Sequence, residues 1–479
     1  MKAKLSSLLL LAAVCVPVTA LSQTESTSFV IGNDTYYLHK IAYHDLSSDK
    51  PNVGKWNQNM VADRQYIYIA DHVNISNSAN QLNIKRYIAY NGERVDDLII
   101  DYQELYNKEI DLMTDDQRCF YLVPANDDEH LILFPNITEL TGIKPDEDFR
   151  FFLIDKTGHI IRDFTASPKT FAYSFFDSNN PIGDFGIPEI TGNPVSGDFD
   201  IFIPMTNWNG ESMIAKYSYL NSVQSTSYSV YNCPNGTLTN TKTSVHIIDD
   251  NYMIVDDIDI VPSLYSYNGN YNNCYGTLDS IHKLGHGCNY FNYSGHRLLY
   301  IGDIEYSDNN NTNGTTQFKI GLWEDYSELT QNISRANPSI SFDNFTQLTT
   351  LSFGESTAKK AVAPYTYRQF MATSDFGNNV MHLHFYVPGE FLATYQLNKY
   401  ERPTDVENII NVADNHTISY RISDKNIIFD CPVADVSVFN MTGHQIFHST
   451  TPVKSINFAN FVKGTYIIAT PYKSFKILL

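Results

Sequence analysis

The sequence has little basic charge, few cysteines and no internal run of apolar residues long enough to span a membrane. Its 479 residues include 33 Lys and Arg against 53 Asp and Glu, giving a formal net charge of −20. This balance excludes a general binder of nucleic acid or anionic membranes, because such proteins present a basic surface. A membrane-spanning helix needs about 20 apolar residues, so we predict no transmembrane segment.

The chain is rich in aromatic and small polar residues. Tyr (33) and Phe (28) are abundant, and hydrophobic residues make up 43% of the sequence, which excludes a disordered chain. Tyr, Phe, Thr, Asn and Ser favour strands and turns, so we predict an all-β protein with few helices. The best helix candidates are residues 95–110 and 324–336, as insertions in loops.

The N-terminus has the pattern of a secretory signal peptide. Lys2 and Lys4 precede an apolar stretch over residues 8–18, and Ala20 offers a small-residue cleavage site. We therefore predict a cleaved signal over residues 1–22. A lipoprotein attached through Cys15 is the alternative, which Val14 disfavours because lipid-attachment sites have a small residue before the cysteine.

Six cysteines at wide spacing exclude a disulfide scaffold. An odd number remains after Cys15, so at least one has no disulfide partner. Buried thiols are the favoured interpretation, with a Cys274–Cys288 or Cys233–Cys274 disulfide as alternatives.

Residues 28–400 contain short runs of β-branched and aromatic residues separated by Asn, Asp, Gly and Ser. The clearest predicted strands are residues 66–69, 120–123, 149–154, 199–203, 252–255, 298–301 and 369–372. Several are continuously apolar, as expected for a sheet packed on both faces.

The repeat of these strands predicts the architecture. Opening strands are expected near residues 66, 120, 199, 252, 298 and 369. We predict a six-bladed β-propeller over 28–400, because repeated four-stranded sheets around an axis leave only short edges. A seven-bladed propeller and a pair of β-sandwiches are the alternatives.

The last segment, residues 404–479, is a compact series of strands with glycines in the turns between them. The predicted strands are residues 426–429, 436–439, 445–447, 455–458, 465–470 and 474–478. They favour a small Ig-like β-sandwich.

The spaced motifs VSVFNMTG (436–443), GTYII (464–468) and KIL (476–478) give this segment a family resemblance. Together they resemble the type A C-terminal sorting domain of the Bacteroidetes type IX secretion system. The landmarks of the sorting signal are Gly443, Gly464, Tyr466 and Lys476. The apolar end, Leu479, departs from relatives that finish on a basic residue.

The resemblance implies a route and a partner. The signal peptide would direct the chain into the periplasm, and the type IX secretion machinery would carry it across the outer membrane. The protein is therefore expected to be secreted or held at the outer-membrane surface. In that family the sorting domain is commonly removed there, with release of the cargo or its attachment to lipopolysaccharide. Residues 28–400 also look similar to uncharacterised secreted β-propellers that carry this domain.

Candidate metal sites are weak. His282, His286 and Cys288 have spacing that zinc can use, but a polar loop is favoured because no fourth ligand is specified. His382 and His384 fall on one face of a strand, where a solvated or hydrogen-bonded pair is the favoured interpretation.

Acidic groups at residues 127–129, 249–250 and 256–259 lack the spacing of a calcium loop and favour a solvated surface. We predict no metal and no cofactor.

The chain has no G-x-S-x-G, H-E-x-x-H or phosphate-loop motif, and no feature selects the two carboxylates of a glycosidase. No catalytic residue is predicted, and the sequence favours a binding protein over an enzyme.

Binding is better supported by composition. Trp56, Trp208 and Trp323 are predicted in loops, and Tyr271 lies in the aromatic and amide-rich stretch YSYNGNYNNCYG. Such rings stack on sugars or anchor protein contacts, although the same residues can instead fill blade cores. The predicted function is a protein- or glycan-binding module. The alternatives are a carbohydrate-active enzyme (a glycoside hydrolase or lyase) and a structural surface component.

Overall fold

A computed structural model gives the architecture of the chain. It describes residues 25–46, 59–70, 81–101, 119–136, 148–167, 182–207, 209, 212–232, 243–250, 252–257, 260–266, 274–277, 287–306, 314–323, 345–356, 369–377, 379–399, 420–423, 425–433, 436–440, 445–449, 451–459, 461–470 and 474–478. Every helix or strand assigned in these residues is a β-strand, which confirms the all-β prediction. The chain divides into two compact units, Met1–Glu401 and Arg402–Leu479.

The described strands of the first unit form six antiparallel sheets, numbered in chain order. An N-terminal hairpin comes first in the chain and belongs to the sixth sheet. The hairpin is β1 (Ser26–Ile31) and β2 (Asp34–Asp45). Sheet 1 contains β3 (Asn59–Ala62), β4 (Tyr66–Ala70), β5 (Gln81–Ile88) and β6 (Arg94–Asp101). Sheet 2 contains β7 (Cys119–Pro124), β8 (His130–Asn136), β9 (Phe149–Asp155) and β10 (Ile160–Ala166). Sheet 3 contains β11 (Ile182–Phe185), β12 (Glu189–Asn193), β13 (Asp198–Asn207), β14 (Ser212–Leu220) and β15 (Val223–Asn232).

The remaining three sheets continue the pattern. Sheet 4 contains β16 (Ser244–Ile247), β17 (Tyr252–Asp257), β18 (Ile260–Ser266) and β19 (Cys274–Thr277). Sheet 5 contains β20 (Cys288–Tyr293), β21 (His296–Tyr306), β22 (Gly314–Trp323) and β23 (Phe345–Ser356). Sheet 6 contains β24 (Phe370–Asp375), β25 (Val380–Val387) and β26 (Phe391–Asn398). The N-terminal hairpin completes sheet 6, because β2 pairs with β26 along its length.

The first strands of the sheets bring neighbouring sheets together. Strand β3 contacts β7, β7 contacts β12, β12 contacts β16, and β20 contacts both β17 and β24. Strand β24 in turn contacts β3, so sheet 6 is next to sheet 1. In sheet 3 the first position is divided, because β11 and β12 both pair with β13.

Alternate residues of one strand pack into different cores. In β9, Phe151 and Leu153 join a core with sheet 3, whereas Phe152 and Ile154 join a core with sheet 1. This arrangement confirms the prediction of sheets packed on both faces, and it explains the uninterrupted apolar run in β9. The same division recurs in β4, where Tyr68 faces sheet 2 and the residues beside it face sheet 6.

All seven strands predicted in the first unit are present, and the opening strands predicted near residues 120 and 369 are first strands of their sheets, whereas four others are not. The strands beginning at residues 66, 198, 252 and 296 are second or later strands of their sheets. The short first strands β3, β12, β16 and β20 precede them and carry too little apolar pattern to be recognised.

The helix predicted at residues 95–110 is wrong over 95–101, which belong to β6. There Leu98 and Ile100 are buried and Ile99 between them is exposed, which is the alternation of a strand. The rest of that segment and residues 324–336 lie outside the described residues.

The second unit contains two sheets among its described residues. One contains β27 (Tyr420–Ser423), β28 (Asn426–Val433) and β31 (Val453–Asn457). The other contains β29 (Val436–Asn440), β30 (Gln445–Ser449), β32 (Thr465–Ala469) and β33 (Ser474–Leu478). A single hydrophobic core draws residues from both sheets. The six predicted strands are confirmed, and β27 is additional.

Gly158 lies where sheets 1 and 2 meet, in the turn after β9. Its φ of 93° favours glycine, and a Cβ at this position would overlap the carbonyl oxygen of Ile99. Gly295 has a similar φ of 81° but open space around it. Substitution of Gly295 by alanine therefore measures the cost of a positive φ alone and is the matched control.

We expect Gly158→Ala to lower the free energy of unfolding by at least about 2 kcal/mol more than Gly295→Ala, because only the former adds a steric clash to the backbone cost. Urea unfolding of both variants measures the difference. Equal losses would contradict the close contact between the two sheets.

Candidate functional site

A cavity of about 260 Å³ lies among the first strands of the six sheets. Its lining includes residues 59–62 of β3, 122–124 of β7, 189–190 of β12, 244–246 of β16, 289 of β20 and 370–373 of β24. The short first strands therefore bring residues from six distant parts of the sequence to one place.

Asn59 connects the first two sheets at the cavity. Its Nδ2 donates to the carbonyl oxygen of Leu122 at 2.6 Å, and its Oδ1 accepts the N–H of Leu122 at 3.2 Å. The buried amide thus pairs with the backbone of β7 as a neighbouring strand would. Asn126 makes the next connection, donating to the carbonyl oxygen of Ile190 at 3.1 Å.

Similar bonds connect the other sheets. Asp256 of β17 accepts the N–H of Cys288 at 3.0 Å, and the Tyr300 hydroxyl donates to the carbonyl oxygen of Gln369 at 3.4 Å. Between sheets 6 and 1, Ser374 Oγ lies 2.6 Å from the carbonyl oxygen of Asp63, to which it donates. Each of these three pairs of neighbouring sheets therefore shares a hydrogen bond between a side chain and the backbone.

Glu189 connects β12 with β16. Its Oε1 accepts the N–H of Ile247 at 3.0 Å, which fixes the carboxylate beside the following sheet. The adjoining Ile187 forms an isolated parallel bridge with Ser244, so the start of β12 runs alongside the start of β16.

Ser244, His246 and Glu189 form a polar cluster in the cavity lining. Ser244 and His246 are two residues apart on β16 and share one face of the strand. Ser244 Oγ lies 2.9 Å from His246 Nε2, and His246 Nδ1 lies 3.4 Å from Glu189 Oε2. The cluster places a hydroxyl and a carboxylate on opposite nitrogens of one imidazole.

Tyr290 borders this cluster. Burial, and to a smaller extent the Glu189 carboxylate, raises the pKa of Tyr290 to about 12. The phenol therefore stays protonated near neutral pH and donates to the carbonyl oxygens of Ile247 at 2.8 Å and Ile248 at 3.1 Å. It holds the end of β16 against sheet 5.

The tryptophan and tyrosine candidates for binding do not meet in this site. Trp323 ends strand β22 and is buried at 1% exposure, so its predicted loop position is wrong. Its ring offers no exposed face for stacking in this conformation. Trp56, Trp208 and Tyr271 lie outside the described residues, so their predicted binding role stays a prediction.

His382 and His384 lie on one face of β25, as predicted, but both are buried, so the solvated alternative is wrong. His382 Nδ1 lies 3.0 Å from the carbonyl oxygen of Ala89. His384 Nε2 lies 2.9 Å from Ser374 Oγ, and its Nδ1 lies 3.1 Å from Thr394 Oγ1. The pair is therefore hydrogen-bonded within the core.

The acidic groups stabilise turns and contacts between sheets. Asp127 accepts the N–H of His130 at 2.9 Å, and Asp249 accepts the N–H of Tyr252 at 3.1 Å. Asp256 is 1% exposed, so the prediction of a solvated surface is wrong at this residue. Among the described residues, no group of three His, Cys, Asp or Glu side chains is arranged to hold a metal ion. His282 and His286 lie outside those residues, and Cys288 is buried.

The predicted sorting landmarks belong to the second unit. Tyr466 is buried in its core between Phe458 and Phe461, and its hydroxyl donates to the carbonyl oxygen of Val462. Gly464 immediately precedes β32, Lys476 lies in β33, and Gly443 is outside the described residues. Across the part of the chain that is described, no helix is long and apolar enough to cross a membrane.

The comparisons with known proteins give no family. No family model matches the chain, and no curated protein sequence matches it. Among solved structures, the chain is similar to a subtype N10 neuraminidase-like protein of A/little yellow-shouldered bat/Guatemala/060/2010, with 8% identity and a TM-score of 0.35 over 75% of this chain and 99% of that chain. It is also similar to the Trypanosoma rangeli sialidase in complex with 2,3-difluorosialic acid, with 7% identity and a TM-score of 0.39 over 89% of this chain and 84% of that chain. Similarities this low carry no argument about activity.

The sequence did not identify Ser244, His246 or Glu189 as site residues. The only local signal is Ser-Val-His on a short strand, which is too common to select a site. Glu189 is far from this strand in the sequence, and it reaches His246 because β12 and β16 are the first strands of neighbouring sheets.

Burial lowers the pKa of His384 well below its usual value near 6.5, and the neighbouring His382 adds to the shift. The folded protein therefore binds fewer protons than the unfolded chain below pH 6.5. The stability that neutral His384 provides is complete above that pH and is lost as the pH falls.

We expect wild-type protein to lose up to about 2 kcal/mol more stability between pH 7 and pH 5 than a His384→Gln variant, because the unfolded chain takes up a proton at His384 in this range. Urea unfolding at both pH values measures the loss. His448→Gln, at an exposed position in the second unit, is the control and should behave as wild type. A pH dependence unchanged in His384→Gln would contradict this role.

Proposed function

We propose that the first unit is a six-bladed β-propeller that binds a protein or glycan through its central cavity. Six sheets among the described residues, the contact of each with the next, and the return from β24 to β3 support this architecture. The pairing of the N-terminal hairpin with sheet 6 would fasten the ends of the propeller together.

The alternatives are less well supported. In a pair of sandwiches each sheet has one covered face, whereas sheets 1 and 2 pack against a neighbour on both faces. A seventh blade would require a further sheet beyond the six that the described residues form.

The cavity is the observation that carries the binding proposal. Backbone and side-chain polar groups from several sheets converge in it beside apolar residues such as Val123 and Met371. Its volume of about 260 Å³ is below the usual range for a drug-sized ligand. We therefore favour capture of one protruding unit, a terminal sugar or a single side chain, with the rest of the ligand outside.

A glycosidase is less well supported by the lining. Such an enzyme uses two carboxyl groups on either side of the scissile bond. Glu189 is the only carboxylate among the described residues that line the cavity. A structural surface component, the third candidate, would not need the cavity for ligand binding.

Thr373 lines the cavity on β24 and is partly exposed, so a large side chain there should fill the space. We expect Thr373→Trp to weaken ligand binding at least about tenfold by steric exclusion. A glycan array with a peptide array finds the ligand, and calorimetry measures the change. Thr346→Trp, exposed on the outer strand β23, is the matched control and should bind as wild type.

Three results would contradict the proposal. Equal binding by Thr373→Trp and wild type would place the ligand elsewhere. Release of sugar from a bound glycan would support the carbohydrate-active enzyme instead. Failure of every glycan and peptide to bind would favour the structural component.

We also propose that the second unit is an Ig-like sorting domain and that the type IX machinery exports the protein to the cell surface. A three-stranded and a four-stranded sheet with a common core support the sandwich. The motif containing Gly464 and Tyr466 supports the sorting role, since these landmarks lie at the start of β32. The signal peptide over residues 1–22 would provide the first step of the route.

Deletion of residues 404–479 should abolish surface delivery and leave the protein in the periplasm, because the machinery would have no signal to recognise. Surface immunodetection and cell fractionation in a Bacteroidetes host measure the two pools. The Thr373→Trp variant is the control, because a change in the cavity should leave export intact. Unchanged surface delivery after the deletion would refute the sorting role.

A further inference from the structure

The cluster at the start of β16 has the arrangement of a nucleophile, a base and an orienting acid. Ser244 Oγ is 2.9 Å from His246 Nε2, within hydrogen-bond reach, and Glu189 Oε2 is 3.4 Å from Nδ1 on the other side of the ring. All three residues line the cavity. This arrangement is typical of an activated serine. Unrelated folds contain it with the three residues in different orders along the sequence.

The carboxylate determines which nitrogen carries the proton. Glu189 Oε1 accepts the N–H of Ile247 at 3.0 Å, and Glu189 Oε2 lies at an ion-pair distance of 3.4 Å from His246 Nδ1. A carboxylate beside Nδ1 favours the tautomer with its proton there. With the proton on Nδ1, Nε2 is placed 2.9 Å from Ser244 Oγ to accept the hydroxyl hydrogen and act as a base.

Two other Ser–His pairs among the described residues provide a contrast. Ser374 Oγ is also 2.9 Å from a histidine Nε2, that of His384, but it donates its hydrogen to the carbonyl oxygen of Asp63 at 2.6 Å. His384 Nε2 must therefore be the donor in that pair, and Thr394 rather than an acid faces its Nδ1.

The third pair, Ser437 with His448 Nδ1 at 3.0 Å, belongs to the second unit. Of the three pairs, the Ser244 pair is the one that combines a facing carboxylate with a place in the cavity.

We propose that Ser244 is a nucleophile activated by His246, with Glu189 as the positioning residue, and that the cavity hydrolyses short uncharged carboxylic esters. The inference rests on the same cavity as the proposed binding function. The cavity volume of about 260 Å³ limits the acyl group to a short chain. No Lys or Arg occurs among the described lining residues, which favours an uncharged acyl group over an anionic one.

The reaction balances with water as the only co-reactant. Ser244 Oγ adds to the ester carbonyl carbon while its proton passes to His246 Nε2. The bond to the leaving alkoxide then breaks, and the alkoxide takes the proton from Nε2 and departs as the alcohol. A water molecule gives a proton to Nε2 and adds to the acyl carbon. The bond to Oγ breaks, Oγ recovers the proton, and the carboxylic acid leaves.

A fluorophosphonate probe tests the nucleophile on the full chain, because activated serine forms an Oγ–P bond as fluoride leaves. Peptide mass spectrometry should locate the label on Ser244, and p-nitrophenyl acetate should be hydrolysed faster than p-nitrophenyl octanoate. Ser244→Ala and His246→Gln should each lower labelling and turnover at least about 100-fold. Ser374→Ala, which removes the contrasting serine, should keep both.

The role of Glu189 has its own readout. Glu189→Gln should lower kcat at least about tenfold with little change in KM, and Glu189→Asp should recover part of the loss. An equal loss of kcat in the Glu189→Gln and Glu189→Asp variants would show that Glu189 has only a structural role and would overturn its positioning role.

Absence of label on Ser244 in folded wild-type protein would overturn the nucleophile. If Ser244→Ala does not fold, Ser244→Cys supplies a thiol, and selective alkylation of that thiol at the cavity supports the same assignment. Ligand binding without label or turnover would overturn this inference alone. Label and turnover without glycan or peptide binding would overturn the binding function alone.

Discussion

Among the described strands, the first strand of each sheet pairs with a neighbouring strand on one side only, apart from the isolated bridge between Ile187 and Ser244. Its other backbone groups depend on the neighbouring sheet, and side chains meet part of that need. Asn59 pairs with both backbone groups of Leu122, and Glu189 accepts the N–H of Ile247. These hydrogen bonds connect neighbouring first strands that do not pair with each other. At the cavity, polar side chains and the Ile187–Ser244 bridge connect the sheets.

The same bonds have a second consequence at Glu189. A carboxylate that supports the backbone of β16 with one oxygen is fixed in position when the other oxygen faces His246. Structural support and orientation of the imidazole therefore come from one residue. Away from the cavity the sheets are held by aromatic packing, as where Phe151 of sheet 2 meets Phe199 of sheet 3. That packing is apolar and excludes water, whereas polar groups of several sheets meet at the cavity.

Much of the fold was predictable because strand patterns are local. The strand at residues 149–154 is recognisable from its own composition, as is the strand at 465–470 of the second unit. The first strands β3, β12, β16 and β20 were missed because segments such as residues 59–62 hold too little pattern, and their burial comes from neighbouring sheets. Trp323 was misplaced because the acidic residues that follow it, Glu324 and Asp325, suggested a loop, whereas Trp323 is the buried end of β22. The candidate cluster was not predictable, because Glu189 and His246 become neighbours only through the packing of two sheets.

The amino-acid sequence by itself determined the β-class of this protein, the packing of its sheets on both faces and the acidic character of its surface. These properties follow from composition and from patterns within single strands. Only the tertiary structure decided that six first strands meet at one cavity and that a serine, a histidine and a glutamate from two sheets lie within hydrogen-bonding or ion-pair distance there. The physical reason is that such a site depends on contacts between sheets, and these are set by packing and side-chain hydrogen bonds that no local pattern records.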